Sequence, residues 1–455
     1  MNILIVGNGF DLSHYLPTKY DHFMDVMEAI EEAKIESMDF DDLFSKCREE
    51  WFIEKTKQYY LTENIQLGKE CLEKIRNLLN ENGWYKYFKN HIQDIKTWID
   101  FEQKIGEFLT SFRTVSQQIT EIKNLNSNKI FSYLSTNEDT DKITISQKNK
   151  TLLSFFKFTD DEQYRLNNIQ IGQPTSFSLR KNLNRIFCYG GKIQNGFNPS
   201  LFLDYIYSQL EDFIELFNLY LDSIISQFRP SSLFAIDSKV WMTPDKIFSF
   251  NYTNTYQRFY DSVVVDYLHG SHGENQNIVL GISDLECESL KKIKAYGFTK
   301  YHQKLFKDTD YLFLDEYKKK IFNQKERILD AHNRRKGEIR NPYLSKIDTE
   351  LSSLNKNNNL DLNFFIWGHS LDVSDRDYIL DLFSLNDDMD RNVRVIVYYF
   401  DKPAKFSLLN NLLAILEKDK VEQWMKNGWL QFKPNPEINF QTEDRAVLEE
   451  VSQNY

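Results

Sequence analysis

Cysteine, proline and glycine are all scarce in this 455-residue chain, at four, nine and sixteen residues. Cys47, Cys71, Cys188 and Cys287 stand far apart and form no Cys-x-x-Cys pair. That argues against structural zinc and against a disulfide framework, and for reduced thiols in a cytoplasmic protein. So few prolines and glycines over this length predict a helix-rich chain with few tight turns. No apolar run approaches the roughly 20 residues that span a bilayer, so no membrane association is expected. A basic leader region with a small-residue cleavage site is also missing, and no secretory signal is expected. Positive charge is short too: the net charge is −11, which disfavours general nucleic-acid binding because the phosphate backbone would be repelled. With 41% hydrophobic and 27% charged residues, the balance is that of a globular protein of one large or two to three ordinary domains.

What is present begins at the first residues, MNILIVGNGFDLSHYLPTKYDHF. The apolar run Asn2-Ile3-Leu4-Ile5-Val6 stops at Gly7-Asn8-Gly9, and Thr18-x-x-Asp21 has the form of a capping box with Asp in place of Glu. Strand, glycine turn and helix in that order is the layout by which nucleotide-binding α/β folds bring phosphates against backbone N–H groups. The third glycine of G-x-G-x-x-G is replaced by Leu12, and Asp11 sits where a phosphate would meet a negative charge. Most glycine turns after a short strand are only turns, so the rest of the chain has to decide.

Helical periodicity follows. Met24, Val26, Met27 and Ile30 recur at helical spacing, as do Leu72, Ile75, Leu78 and Leu79. Trp98-Ile99-Asp100-Phe101-Glu102 opens another helix, in which Glu102 reads as a solvated or helix-dipole carboxylate. Residues 124–200 are less regular: TNEDTDK is loop-like, ITISQ and TLLSFFKF read as short strands, and CYGGKIQNGFNPS as a connector. Leu201 to Ile225 reads as a long helix with Phe202, Ile206, Leu210, Phe213, Phe217 and Leu221 inward. Strand patterns resume at Lys246–Phe250, at Val263–Leu268 and at Ile278–Gly281. The stretch from Glu288 to Lys346 is helical and locally basic, and its interspersed acids make a solvated helix face the default. Phe364–Trp367 and Val393–Phe400 are again strands, with helices starting at Asp375 and covering Phe406–Leu416. The expected fold class is α/β, a Rossmann-like parallel sheet assembled from three separated segments with a large, mostly helical insertion. The core takes residues 1–24 and 240–435 with a basic helical insert at about 288–360, the insertion 25–235, and a C-terminal tail 436–455.

Four polar clusters end these strands: Gly7-Asn8-Gly9-Phe10-Asp11, Asn251-Tyr252-Thr253-Asn254, His269-Gly270, and Gly368-His369-Ser370 with Asp372 and Asp375. A lone His after a strand is more often structural than catalytic, but four clusters at the carboxyl ends of parallel strands mark where open α/β sheets bind ligands. The motifs IVGNGFDLSHYLPTKYDHF, WIDFE, FSFNYTNTYQRFY, YLHGSHG and FFIWGHSLDVSDRDYI resemble the AbiH family of bacterial phage abortive-infection proteins. Tyr15 departs from the family's usual Gly before Leu16-Pro17-Thr18. The order of the anchors also resembles the sirtuin-like NAD-binding fold of antiphage effectors. The Gly-Ala-Gly-x-Ser opening of that fold is replaced here, and a zinc-binding cysteine module is missing, which argues against deacetylation.

These resemblances imply an antiphage effector that hydrolyses the nicotinamide–ribose bond of NAD, with NAD as substrate, no prosthetic group and no metal. Asn251 would orient a ribose hydroxyl or the attacking water, and His269 would take up a proton. Gly7, Asn8, Gly9, Phe10, Asp11, Gly270, Gly368, His369, Ser370 and Asp375 would bind the nucleotide. Asp375 doubles as a helix N-cap, and that is its expected role. Alternatives are a sensor or scaffold that binds NAD or ADP-ribose without hydrolysis, and a nuclease. By analogy with trigger-dependent effectors, a homo-oligomer and a phage-derived trigger are further expected partners.

Overall fold

The computed structural model describes residues 1–91, 98–125, 142–159, 175–237, 243–285, 287–309, 312–337, 344–356, 361–387 and 390–441. Most of TNEDTDK and of the tail beyond 441 lie outside them.

Six strands form one sheet: β1 (Asn2–Val6), β2 (Lys246–Ser249), β3 (Val265–Tyr267), β4 (Leu362–Trp367), β5 (Val393–Tyr399) and β6 (Leu430–Pro434). Every pairing is parallel, and the spatial order is β3-β2-β1-β4-β5-β6. The order reverses between β1 and β4, so the loops after these two strands leave in opposite directions and open a crevice at the carboxyl edge. The central strands β1, β4 and β5 are apolar at most positions because both of their faces are covered. Ile3 and Ile5 pack with Phe364, Ile366, Val395 and Leu412 on one face. Leu4 and Val6 pack with Ile247, Phe365, Trp367 and Phe10 on the other.

Between β1 and β2 lies the helical part. The helices that bear on the site are α1 (Asn8–Ser13), α2 (Tyr20–Glu32), α3 (Trp98–Leu125) and α4 (Pro199–Ser223). The start of α4 is set by Asn198, whose side chain accepts from Leu201 N at 3.3 Å, and by Pro199 in the first turn. All six residues expected inward on α4 are buried. Aromatic rings weld α2, α3 and α4 together. Phe101 of α3 lies 5.7 Å from Tyr20 of α2 and stacks on Phe213 of α4 at 5.2 Å, centroid to centroid.

Helices after the insertion include α5 (Lys300–Phe306) between β3 and β4, α6 (Arg376–Phe383) after β4, and α7 (Lys402–Lys426) after β5. A hairpin of Asp315–Gly337 and Leu344–Lys356 follows α5. The first tail residues, Ile438–Gln441, pair antiparallel with Leu233–Ile236. No helix among the described residues is long and apolar enough to cross a membrane.

Three local expectations fail for identifiable reasons. TLLSFFKF is no strand: a helix over Gln147–Ser154 is started by Ser146, whose hydroxyl accepts from Asn149 N at 3.2 Å. Ile278–Gly281 forms no strand: Leu280 N and O are both taken by the Gln303 side chain at 2.9 Å. The Thr18–Asp21 capping box does not form either. α2 is preceded by Lys19 without a side-chain cap, and the Thr18 hydroxyl donates instead to Asn8 Oδ1 at 2.8 Å.

Candidate functional site

The turn after β1 and the loop after β4 cross almost backbone on backbone. Gly7 N donates to Trp367 O at 3.1 Å and Gly9 N to Gly368 O at 2.9 Å. A Cβ on Gly9 would lie 2.7 Å from Gly368 Cα, and one on Gly368, whose φ is +74°, would lie 2.1 Å from Phe10 N. Glycine is required at this crossing by contact and, at Gly368, by backbone conformation. Of the N–H groups expected to cradle a phosphate, those of Gly7 and Gly9 are thus spent on the end of β4 and its loop, and that of Phe10 on Gly7 O at 2.8 Å.

Above the crossing lies a cavity of about 250 Å³. Its walls include Gly7, Asn8, Gly9, Asp11, Asn251, Thr253, His269, Gly368, His369, Ser370 and Asp375. Ten of the twelve residues singled out in the sequence thus meet in one place. Phe10 and Gly270 do not line it. Phe10 is buried edge-on against Trp367 with centroids 5.1 Å apart, and Gly270 makes a tight turn at φ +80° against Asn277.

At one end stands a charged cluster. Asp375 Oδ1 lies 3.0 Å from His269 Nε2 and 3.2 Å from Lys300 Nζ, and Oδ2 lies 3.3 Å from His369 Nε2. The His269 contact is short but lies off the N–H direction. Leu371 N donates to His369 Nδ1 at 3.0 Å, which leaves the proton of that ring on Nε2, facing Asp375. Lys300 also reaches Glu102 Oε1 at 2.9 Å. Phe250 wedges between the imidazoles, 4.0 Å from His369 and 5.1 Å from His269 between centroids.

Burial shapes every charge here. It lowers His269 to about 3 against the pull of Asp375, so the imidazole is neutral. Burial would raise Asp375, but Lys300 and His269 outweigh it and hold the carboxyl well below the usual range. Lys300 is kept protonated against burial by Asp375 and Glu102. Glu102 is pushed by burial up to about 7 even with Lys300 beside it.

Two sequence readings are corrected by this cluster. Asp375 precedes α6, but its side chain caps nothing; it turns into the cavity because three partners wait there. Glu102 is neither solvated nor at work on a helix dipole, being 8% exposed and paired with Lys300. Lys300 was missed, since a lysine among lysines reads as solvent-facing, yet it is 4% exposed. The one available signal was Thr299, a capping residue that marks Lys300 as the first residue of a helix.

At the other end Asp11 Oδ2 accepts from Thr253 Oγ1 at 2.6 Å, and Thr255 Oγ1 donates to Thr253 Oγ1 at 3.1 Å. Asp11 Oδ1 and Asn251 Nδ2 are both buried without a hydrogen-bond partner. Burial raises Asp11 to about 6, opposed by the hydroxyls of Thr253 and Thr255, by the nearby Asn251 side chain and by the charge of Arg258. The Asn251 backbone is locked by Ser249: Asn251 N donates to Ser249 Oγ at 3.1 Å, and that hydroxyl donates to Asn251 O at 3.0 Å.

A six-stranded parallel sheet within a mostly helical chain, with a cavity at its reversal point, defines a mixed α/β protein with a candidate site between β1, β2 and β4. The model of a family described as bacteriophage abortive infection AbiH matches residues 3–399, five of the six sheet strands included. The chain belongs to that family. No curated protein and no solved structure matches it.

Proposed function

We propose that the chain serves abortive infection by hydrolysing NAD at the nicotinamide–ribose bond, on a Rossmann-like, sirtuin-like nucleotide-binding core. The observation that carries this reading is a neutral imidazole, His269, set beside a carboxylate, Asp375, in a cavity at the reversal point of a parallel sheet. The order β3-β2-β1-β4-β5-β6 is the one that dinucleotide-binding folds use, which supports a nucleotide as ligand.

Cleavage passes through an oxocarbenium-like state, for which the site has to place a water or ribose hydroxyl and accept its proton. His269 has Nε2 towards Asp375, so Nδ1 is the nitrogen that takes the proton, and Asp375 stabilises the imidazolium formed. Asn251 Nδ2, without a protein partner, donates to the hydroxyl or the water. Asp11 Oδ1, equally unpartnered, accepts from a sugar hydroxyl. At about 250 Å³ the cavity lies just below the usual range of small-molecule sites, room for the reacting half of a dinucleotide with the rest outside.

The test is nicotinamide release by purified protein, followed chromatographically with and without phage lysate as trigger. His269→Ala is expected to lower the rate by about 100- to 10,000-fold with an unchanged circular dichroism spectrum, and Asn251→Ala to act in the same direction. Binding of NAD or ADP-ribose without release would favour the sensor reading. Cleavage of RNA or DNA with no nucleotide binding would remove both readings.

A further inference from the structure

Lys300 and Glu102 reach the cavity from outside the sheet. Glu102 comes from the second turn of α3, deep in the helical insertion, and Lys300 from the first residue of α5. Glu102 lines the cavity with Lys300, and its Oε2 is buried without a partner. Lys300 bridges the two carboxylates at 2.9 and 3.2 Å and is itself 4% exposed. Gln303, one turn on and fully buried, clips α5 to the 278–281 segment through Leu280 and to Gly297 O. The helix that carries Lys300 is therefore anchored independently of either carboxylate.

We infer that Lys300 is a positioning residue: it fixes Asp375 against His269 and, through Glu102, makes the geometry of that pair depend on the docking of the helical insertion. This deepens the hydrolase reading, in which His269 takes the proton, and rests on it. A carboxylate meeting two imidazoles and a lysine has several near-equal orientations. Lys300, on the same oxygen that His269 touches, selects the one in which Oδ1 is shared and Oδ2 is left to His369. Its charge also opposes that of Asp375 at the His269 ring, and so governs how strongly the imidazole holds a proton. The charged or titratable groups around that ring are Asp375, Lys300, Lys304 and His369, with the Tyr378 ring packed at 6.3 Å and Glu102 behind Lys300.

The experiment uses full-length protein with ring-labelled histidine, His269 being identified by the signal lost in His269→Gln. In the wild type His269 is expected to stay neutral down to about pH 5. In Lys300→Met, with Asp375 no longer opposed, its midpoint should rise by about 1–3 units. Lys300→Met leaves Glu102 buried and unpaired, so a Glu102→Gln/Lys300→Met double variant guards against misfolding and should show the same rise. A folded double variant in which His269 titrates as in the wild type overturns the inference, whatever the fate of NAD. Nicotinamide release gives the second arm. Release by the wild type that persists in the double variant also overturns it and leaves the hydrolase reading standing. A shifted midpoint in a protein that never releases nicotinamide supports the positioning role and counts against hydrolysis.

Discussion

Asp11 and Asp375 are two aspartates buried in the walls of one cavity, 1% and 8% exposed, and they end in opposite states. Asp11 is pushed up to about 6, while Asp375 is held well below the usual carboxylate range. Burial acts upward on both, so the neighbours make the difference. Asp375 has an ammonium group at 3.2 Å and an imidazole on each oxygen. Asp11 has one threonine hydroxyl, a second threonine behind it, the Asn251 side chain and a distant guanidinium. A cavity with one carboxylate held ionised by the protein and another left with an open oxygen is divided electrostatically between its two ends.

That contrast can be broken, and the largest effect should come from Lys300→Met. Removing one member of a buried ion pair typically costs about 3–5 kcal/mol, because the partner's charge stays behind unpaired. Urea unfolding at neutral pH should show a loss of that order. A change below about 1 kcal/mol would mean that Asp375 has other support.

Next comes Asp11→Asn, which sharpens the contrast through pH. With its value raised from 3.8 to about 6, folded Asp11 still holds its proton where the unfolded chain has released it. Stability from this group therefore falls as pH rises from about 4 to about 6, in total by about 3 kcal/mol at roughly 1.4 kcal/mol per unit. Asp11→Asn should gain on the wild type across that window in a denaturation series. Asp375 works in the other direction: its contribution is complete above about 4 and is lost as pH falls below that. The smallest effect is expected from Thr253→Val, which removes the 2.6 Å hydrogen bond to Asp11. About 1–2 kcal/mol of stability should be lost at pH 7, where Asp11 is ionised, and less at pH 5.

The same contrast shows what was legible in the chain. β1, β2, β4 and β5 announce themselves as apolar runs ending in glycine or polar clusters, because a parallel sheet covered on both faces admits little else. The residues on those strand ends, Asp11, Asn251 and His369 among them, could be gathered on paper for the same reason, and His269 from the end of β3. Lys300 and Glu102 could not. Each sits on a helix with charged neighbours, and only contact between segments some 200 residues apart turns them inward. The reading of Asp375 as a cap failed similarly: local position nominated the role, and three distant side chains outbid it.

One consequence of the strand order concerns synthesis. β1 is the first element of the described chain, yet its two neighbours in the sheet are residues 246–249 and 362–367. At about 5–20 residues per second, β1 waits on the order of 20–70 s before the second partner has been made. Until residue 249 both of its edges lack their native strands, and until residue 367 one still does, while the helical insertion is already available to fold. The pocket residues arrive in the same staggered way, Asp11 early and Asp375 near the end. A ribosome halted before residue 362 would release a chain with a formed helical body, half a sheet and no complete cavity. The capacity that the cavity confers is therefore withheld from every nascent and prematurely ended copy by the order in which the strands are threaded.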